Sequence, residues 1–409
     1  VDHRAAADRL IVTPHGLRGH QYWLSLTQMP SQVRPLLAVR PQWRQSTGSA
    51  VAAVAVRSLA SVGSGDDAEQ SAGVGSSMVR QVTGGIMAVV EALPGIGVGT
   101  WAWGNRLVWD YDPARDDALL PATVRAAVEA GVRLFDTADS YGTGALRGCS
   151  ERLLGAAVAQ GPLPADLVIA TKLAPYPWRL GRRAFDRPLA ASRCRLRGRL
   201  DRVQLHWSTA RYAPWQEHDL LQGLADLVEA GVVRELGVSN MGPRRLRRWH
   251  GWLAQRGVRL RSVQVQFSPL CRDPLSPEGV LSVCRELAID ALGYSPLALG
   301  LLSGRWSLQA PLPAGLRGVL FRRLLPGLEP LQHLLAEVAR ARGATPTAVC
   351  LNWCRAHGAS PIVGLRRPGQ VAAIEDALGW CLADAEREAI DAEAGKLNQR
   401  MPANPFTSS

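Results

Sequence analysis

The pattern of apolar and polar positions changes character near residue 95. Downstream, short apolar runs alternate with windows in which apolar residues recur every three to four positions. The runs predict strands over 96–103, 134–138, 167–172, 202–207, 235–239, 262–268, 291–295 and 361–365. The amphipathic windows predict helices over 123–130, 151–160, 184–197, 220–230, 244–256, 279–287, 331–342, 347–356 and 370–378. Four of these windows stop at Gly131, Gly231, Gly257 and Gly343, and glycine readily takes the left-handed conformation that ends a helix. Eight strands alternating with helices predict an α/β fold whose parallel sheet closes as a (β/α)8 TIM barrel. An open doubly wound sheet would want G-x-G-x-x-G in its first strand–helix turn. Gly95 and Gly97 begin such a series, but Thr100 stands where its last glycine belongs. With Gly99 they read as turn and strand glycines.

Residues 1–90 lack this order. Their apolar periodicity is weak, and Ser, Gly and Ala are frequent. The first 65 residues have acidic side chains only at Asp2 and Asp8. The expectation is a poorly ordered N-terminal extension. An Arg-rich, acid-poor arm fits an organelle transit peptide and equally an over-long reading frame. The expected organisation is an extension over 1–90, a barrel over 91–400 and a C-terminal tail over 401–409.

Composition narrows the function classes. With 409 residues and 47% hydrophobic content, the chain can build one large barrel with an appendage. No apolar run is long enough to span a membrane, because Arg80 and Glu91 interrupt the nearest candidate over 78–98. The formal net charge is +12, yet the cations are scattered, and only Lys172 and Lys396 are lysine. That pattern is a bias toward arginine, and no nucleic-acid function is expected from it. The densest basic run, Arg244, Arg245, Arg247 and Arg248, reads as the solvated face of a helix. Seven cysteines form no C-x-x-C, and Cys350 and Cys354 are spaced for packing on one helical face. No metal site is expected. The odd cysteine count predicts a reducing compartment, the cytoplasm.

Catalytic residues of such barrels sit at the C-terminal ends of strands. Here those ends carry Asp136 and Tyr141, then Lys172, then His206. An acid, a phenol, an amine and an imidazole would share one mouth. Carbonyl reduction by hydride makes an alkoxide that needs a proton. A phenol near pKa ~10 is a weak acid, and a nearby ammonium is expected to lower that value. An aspartate would hold the ammonium charged, and an imidazole would orient and polarise the carbonyl. Lys172 stands out in a chain that otherwise uses arginine, whose forked guanidinium is no substitute for a compact ammonium.

These segments resemble the aldo-keto reductase superfamily. The resemblance rests on Asp136-Thr-Ala-x-x-Tyr141-Gly, Ala-Thr-Lys172, Gln-Leu-His206-Trp, Gly237-Val-Ser-Asn240 and Tyr294-Ser-Pro-Leu, and covers about 93–397 in order. Gly99-Thr-Trp-Ala-Trp-Gly, Pro177-Trp-Arg, Leu378-Gly-Trp and the closing Asn404-Pro-Phe resemble its plant-plastid and cyanobacterial branch, which includes pyridoxal reductase-like enzymes. The resemblance implies Tyr141 as general acid, supported by Lys172 and Asp136, with His206 orienting the substrate. It implies NADPH as cofactor. Ser239, Asn240 and Gln264 would bind the nicotinamide carboxamide, and Tyr294 would stack on the ring. Ser295, Leu297, Gly300, Gly304 and Arg305 would cradle the pyrophosphate. Gly364 and Arg366 would open the last helix, Arg366 taking the 2′-phosphate, with Gln370 as a further adenosine contact. Ala373 and Ile374 depart from the Glu and Asn often found there, which puts the adenine contacts in question. Trp103 and Trp207 are expected to line the pocket for a small-molecule carbonyl substrate. The loops 208–218 and 306–328 would shape it. Two other readings stay open: a cofactor-binding regulatory subunit with little turnover, and a sugar or alcohol dehydrogenase. None of these motifs sets an oligomeric state.

Overall fold

A computed structural model describes residues 95–408, so the expectation of a poorly ordered arm over 1–90 lies outside the described residues. Eight parallel strands form the sheet: β1 (Gly97–Gly99), β2 (Leu134–Asp136), β3 (Val168–Leu173), β4 (Arg202–Leu205), β5 (Glu235–Ser239), β6 (Leu260–Gln266), β7 (Asp290–Tyr294) and β8 (Ala359–Gly364). They pair in sequence order, and β8 returns to β1 to close the barrel. Closure leaves no unpaired sheet edge.

The sequence builds this barrel by alternation. On β3 to β6, Ile169, Leu173, Val203, Leu205, Leu236, Val238, Val263 and Val265 are buried. Most of them pack with Leu220, Leu224, Leu246 and Leu253 from the helices Pro214–Glu229 and Pro243–Gln255. A second cluster joins Val98, Phe135 and Ile169 to Leu120, Val124, Leu154 and Ile374. Each such side chain contributes about 1.5–3 kcal/mol by leaving water. The intervening strand positions carry the polar groups. Register sets Lys172 beside Gln204, Gln204 beside Gly237, and Ser239 beside Gln264. A side chain at Gly237 would place its Cβ 2.6 Å from Ser262 Oγ and 3.0 Å from Gln204 Cγ. Glycine there lets these polar side chains share the barrel interior.

Boundaries differ from the sequence expectation where turns intrude. The first strand stops at Gly99 because Trp103 N donates to Thr100 O at 2.9 Å, closing a turn that ends on Gly104. The expected loop 208–218 is half helix, since Pro214 starts Pro214–Glu229 where a missing N–H costs nothing. The expected loop 306–328 contains the helix Gly315–Leu324. The segment after β8 is a tight turn, Pro368–Gln370, followed by the short helix Ala372–Leu378. The last helix is Asp384–Lys396. The four expected glycine stops all have positive φ, from 63° to 93°.

Two surface readings resolve into contacts. In the basic helix Pro243–Gln255, Arg245 pairs with Glu217 and Arg247 with Glu286, while Leu246, Trp249 and Leu253 face the core. Cys350 and Cys354 are fully buried in the main core cluster. Among the described residues, no helix is long and apolar enough to cross a membrane.

Candidate active site

Three neighbouring strands bring one buried polar set together. Asp136 ends β2, Lys172 is the penultimate residue of β3, and Gln204 lies on β4. Lys172 Nζ donates to Asp136 Oδ2, and Gln204 Nε2 donates to Asp136 Oδ1 at 2.9 Å. Lys172 and Asp136 are 1% and 2% exposed, so water does little to screen the pair. Burial pulls the Lys172 pKa down, and the Asp136 charge opposes that pull. Gln204 was passed over in the sequence as part of a motif around His206. Its alignment with the two catalytic-type strands was the available signal.

Tyr141 lies on the loop after β2. Its backbone is fixed by Tyr141 N donating to Ala138 O at 3.2 Å and Gly148 N donating to Tyr141 O at 2.8 Å. The next residue, Gly142, has φ 105°, and a Cβ there would fall 1.9 Å from Leu146 O. Only glycine fits that turn. Lys172 Nζ sits 5.1 Å from the centre of the Tyr141 ring. The expected lowering of the phenol pKa is not what the geometry gives. Burial, with the nearby Asp136 charge, pushes it well above its ordinary value. The ammonium is already paired with Asp136, so its pull on the phenol is spent on the carboxylate.

His206 follows β4, its ring 5.7 Å from that of Tyr141 and edge-on to it. Ser140 Oγ is 3.2 Å from Nδ1. Burial, then the charges of Lys172 and Arg179, hold the imidazole pKa well below its ordinary value, so it is neutral at neutral pH. Trp207 is buried beside it, donates from Nε1 to Tyr212 Oη at 2.9 Å and stacks on Phe406 with ring centres 4.8 Å apart. Trp103, expected beside Trp207, is elsewhere. It is fully buried and donates from Nε1 to Leu365 O at 2.7 Å, tying the turn after β1 to the end of β8.

The ends of β5, β6 and β7 form the other half of the mouth. Ser239 Oγ donates to Gln264 O at 3.1 Å, and Asn240 Nδ2 donates to His206 O at 3.2 Å. Tyr294 Oη donates to Asn240 Oδ1 at 2.9 Å. Gln264 Nε2 is buried without a hydrogen-bond partner among the described residues. Asn240, Ser295, Ala298 and Leu299 all have φ between 48° and 59°, strained for residues with a side chain. Such strain gathers where a ligand must meet the backbone closely. Ser295, Leu297, Gly300, Gly304 and Arg305 follow in one winding segment after β7.

Beyond it, Arg305, Arg317 and Arg366 converge. Arg317 stacks over Trp109 at 4.7 Å and over Trp306 at 5.5 Å, and Arg305 lies over Trp306 at 4.8 Å. Burial lowers the Arg317 pKa, and the charges of Arg366 and Arg305 lower it further. Arg366 is less free than its sequence position implied. It donates to Asp116 Oδ2 and to Trp109 O, each at 2.8 Å. The backbone amides of Arg366 and Arg367 both donate to Gln370 Oε1, at 2.7 and 3.1 Å, so this turn does not present them to an anion. Arg317 was missed in the sequence because it lies in a stretch read as loop. Gly364, by contrast, is exposed, and a Cβ there would meet only Gly99 O, at 3.9 Å.

Comparison with known proteins places this geometry. The model of the aldo/keto reductase family matches residues 95–394. The chain is 46% identical over 316 residues to the chloroplastic pyridoxal reductase of Arabidopsis thaliana, covering 76% of this chain and 86% of that one. It is 28% identical over 335 residues to an NADP(+) aldo-keto reductase of Schizosaccharomyces pombe, covering 76% and 92%. Its fold is similar to the solved glycerol dehydrogenase of Gluconobacter oxydans, with TM-score 0.59 and 26% identity over 78% of this chain and 96% of that one.

Proposed function

The chain belongs to the aldo/keto reductase family, and from that premise we propose that it reduces a small aldehyde or ketone with NADPH. The observation that carries this reading is the buried Asp136–Lys172–Gln204 set behind Tyr141 and beside a neutral His206. The name of the Arabidopsis relative makes pyridoxal the substrate to try first.

Tyr141 is the proton donor. Its raised pKa keeps the proton on the phenol at neutral pH, where a general acid must hold it. As negative charge develops on the carbonyl oxygen, the phenol releases that proton and the Lys172–Asp136 pair receives the resulting field. Neutral His206, its Nδ1 held 3.2 Å from Ser140 Oγ, would orient the oxygen through its other ring nitrogen. Trp207 and Phe406 supply an apolar wall for a flat substrate.

The residues present fit a dinucleotide. Gln264 Nε2 lacks a partner, as a carboxamide site requires, and three clustered guanidinium groups suit phosphates. Ser239, Asn240 and Gln264 would hold the carboxamide, and Tyr294 would face the ring. The segment from Ser295 to Arg305 would hold the pyrophosphate, with Arg317 added to it. Arg366 and Gln370 stay at the adenosine end, Arg366 working with Asp116 as its built-in counter-charge. NADPH supplies the hydride. The relative named for NADP(+) supports the phosphorylated form. Seven free thiols fit a reducing compartment, and the name of the Arabidopsis relative adds the chloroplast to the expected cytoplasm as a place to test.

Purified protein should oxidise NADPH in the presence of pyridoxal or aromatic aldehydes, followed by absorbance. Tyr141→Phe should lose at least about a hundredfold in kcat, the usual worth of a positioned acid. Full activity in that variant removes Tyr141 from the role. No turnover across the panel removes the reading itself.

A further inference from the structure

The segment 401–408 crosses the mouth of the barrel and ends on the residues proposed for the nicotinamide. Met401 N donates to Leu270 O at 3.0 Å, and Ser408 N donates to Asn240 O at 3.2 Å. Gly242 N donates to Ser408 Oγ at 3.1 Å. Phe406 covers Trp207. Between them, Asn404 Nδ2 donates to Asn240 Oδ1 at 3.2 Å and to Tyr294 Oη at 2.9 Å. The amide orientation is fixed, because Asn404 Oδ1 accepts from Phe406 N at 2.9 Å.

These bonds exhaust Asn240. Its Oδ1 accepts from Tyr294 and Asn404, and its Nδ2 donates to His206 O and Ser239 Oγ. A primary amide has two lone pairs and two hydrogens, so nothing remains for a nicotinamide carboxamide. One of the present partners must leave. Tyr294 closes β7 and is held by the barrel, whereas Asn404 lies outside helix and strand, beyond exposed Pro402 and Ala403. A segment outside regular structure, with exposed neighbours, opens at low cost. Meanwhile Gln264 Nε2, on the adjacent strand, has no partner and matches an amide oxygen that Asn404 does not supply.

We propose that residues 401–408 form a latch in which the Asn404 amide stands in for the carboxamide on Asn240, and that dinucleotide binding displaces it. The idea rests on the cofactor reading above. In the latched state the site is closed to the nicotinamide, and affinity for the dinucleotide is reduced by the fraction of molecules that are latched.

The test measures NADP(+) affinity by titration calorimetry for the full-length chain, for Asn404→Ala and for a chain ending at Pro402. Loss of one or two net hydrogen bonds from the latch should tighten binding about threefold in Asn404→Ala. The truncation, which also removes Phe406 and Ser408, should tighten it about tenfold. Hydrogen exchange of the full-length protein gives a second readout, with amides of 403–408 exchanging faster when NADP(+) saturates the site. Equal or weaker binding in both variants, or slower exchange in the tail, overturns the latch while leaving the cofactor reading intact. Full-length protein and truncation both failing to bind overturns both ideas together. If only the shortened chain binds, the latch stands in its strongest form. Should the truncation not fold, the point variant and the exchange experiment decide.

Discussion

Replacing the Asp136 carboxylate by its amide keeps the shape and the Gln204 contact but strands Lys172 as a buried cation. Breaking a buried pair from one side costs about 3–5 kcal/mol. Asp136→Asn and Lys172→Met each leave one buried charge without its partner, so each should lower the urea midpoint sharply, and the double variant should lose less than the two single losses added together. A double-variant loss equal to that sum would mean that the two groups do not depend on each other. His206 adds a dependence on pH. Its folded pKa lies below the unfolded value near ~6.5, so the unfolded chain binds the extra proton first. Stability from this group is present above that value and is lost as the pH falls below it, by up to about 1.4 kcal/mol per unit. Thermal melts at pH 7 and pH 5.5 should differ less in His206→Gln than in the parent chain. An unchanged difference would place the acid sensitivity elsewhere.

At the scale of elements, the turn after β2 is the most constrained piece of backbone at the mouth. Gly142→Ala meets both a φ of 105° and the Leu146 carbonyl, so the loop must rebuild and carry Tyr141 with it. Loss of most turnover is expected, with a fall in melting temperature of several degrees for about 1–3 kcal/mol of strain. Retained activity would show that the loop tolerates another path. The same scale shows what the sequence could and could not convey. All eight strands were legible because their outer faces must be apolar to sit under helices, and the four catalytic-type residues were legible because they lie at or just after the ends of those strands. Four helices were not, and two of these, Arg106–Trp109 and Pro113–Asp116, are single turns too short to show a period. Gly315–Leu324 carries two glycines and three arginines, and much of it is solvent-facing. Asp384–Lys396 buries only Ile390 and Ala394, too little to make a readable stripe. Trp103 misled for the opposite reason: an aromatic beside catalytic segments looks like a wall, but its position in the core is set by Leu365, far along the chain.

The whole molecule draws its site from almost its full described length. Asp136 and Asn404 share one mouth only because the barrel closes and the last segment returns across it. That return, and the gathering of Arg305, Arg317 and Arg366, depend on contacts between segments with no common periodicity. Sequence patterning records which face of an element is buried, and not what arrives from elsewhere to meet it. The arginine bias also acquires a structural meaning at this scale. Many guanidinium groups are tied to carboxylates across the surface, such as Arg182 to Asp226 and Arg342 to Glu386.

The burial of Lys172 leaves the chain with an unusual chemical simplicity. Of its two primary side-chain amines, one is sealed against Asp136, and the other, Lys396, is 71% exposed on the final helix. Of the two lysines, an acylating reagent such as a succinimidyl ester therefore finds only Lys396 in the folded protein. Peptide mass mapping after brief labelling should place the adduct on Lys396 and leave Lys172 unmodified until the barrel is unfolded. The native chain thus carries a single reactive lysine as a handle for a dye or a surface.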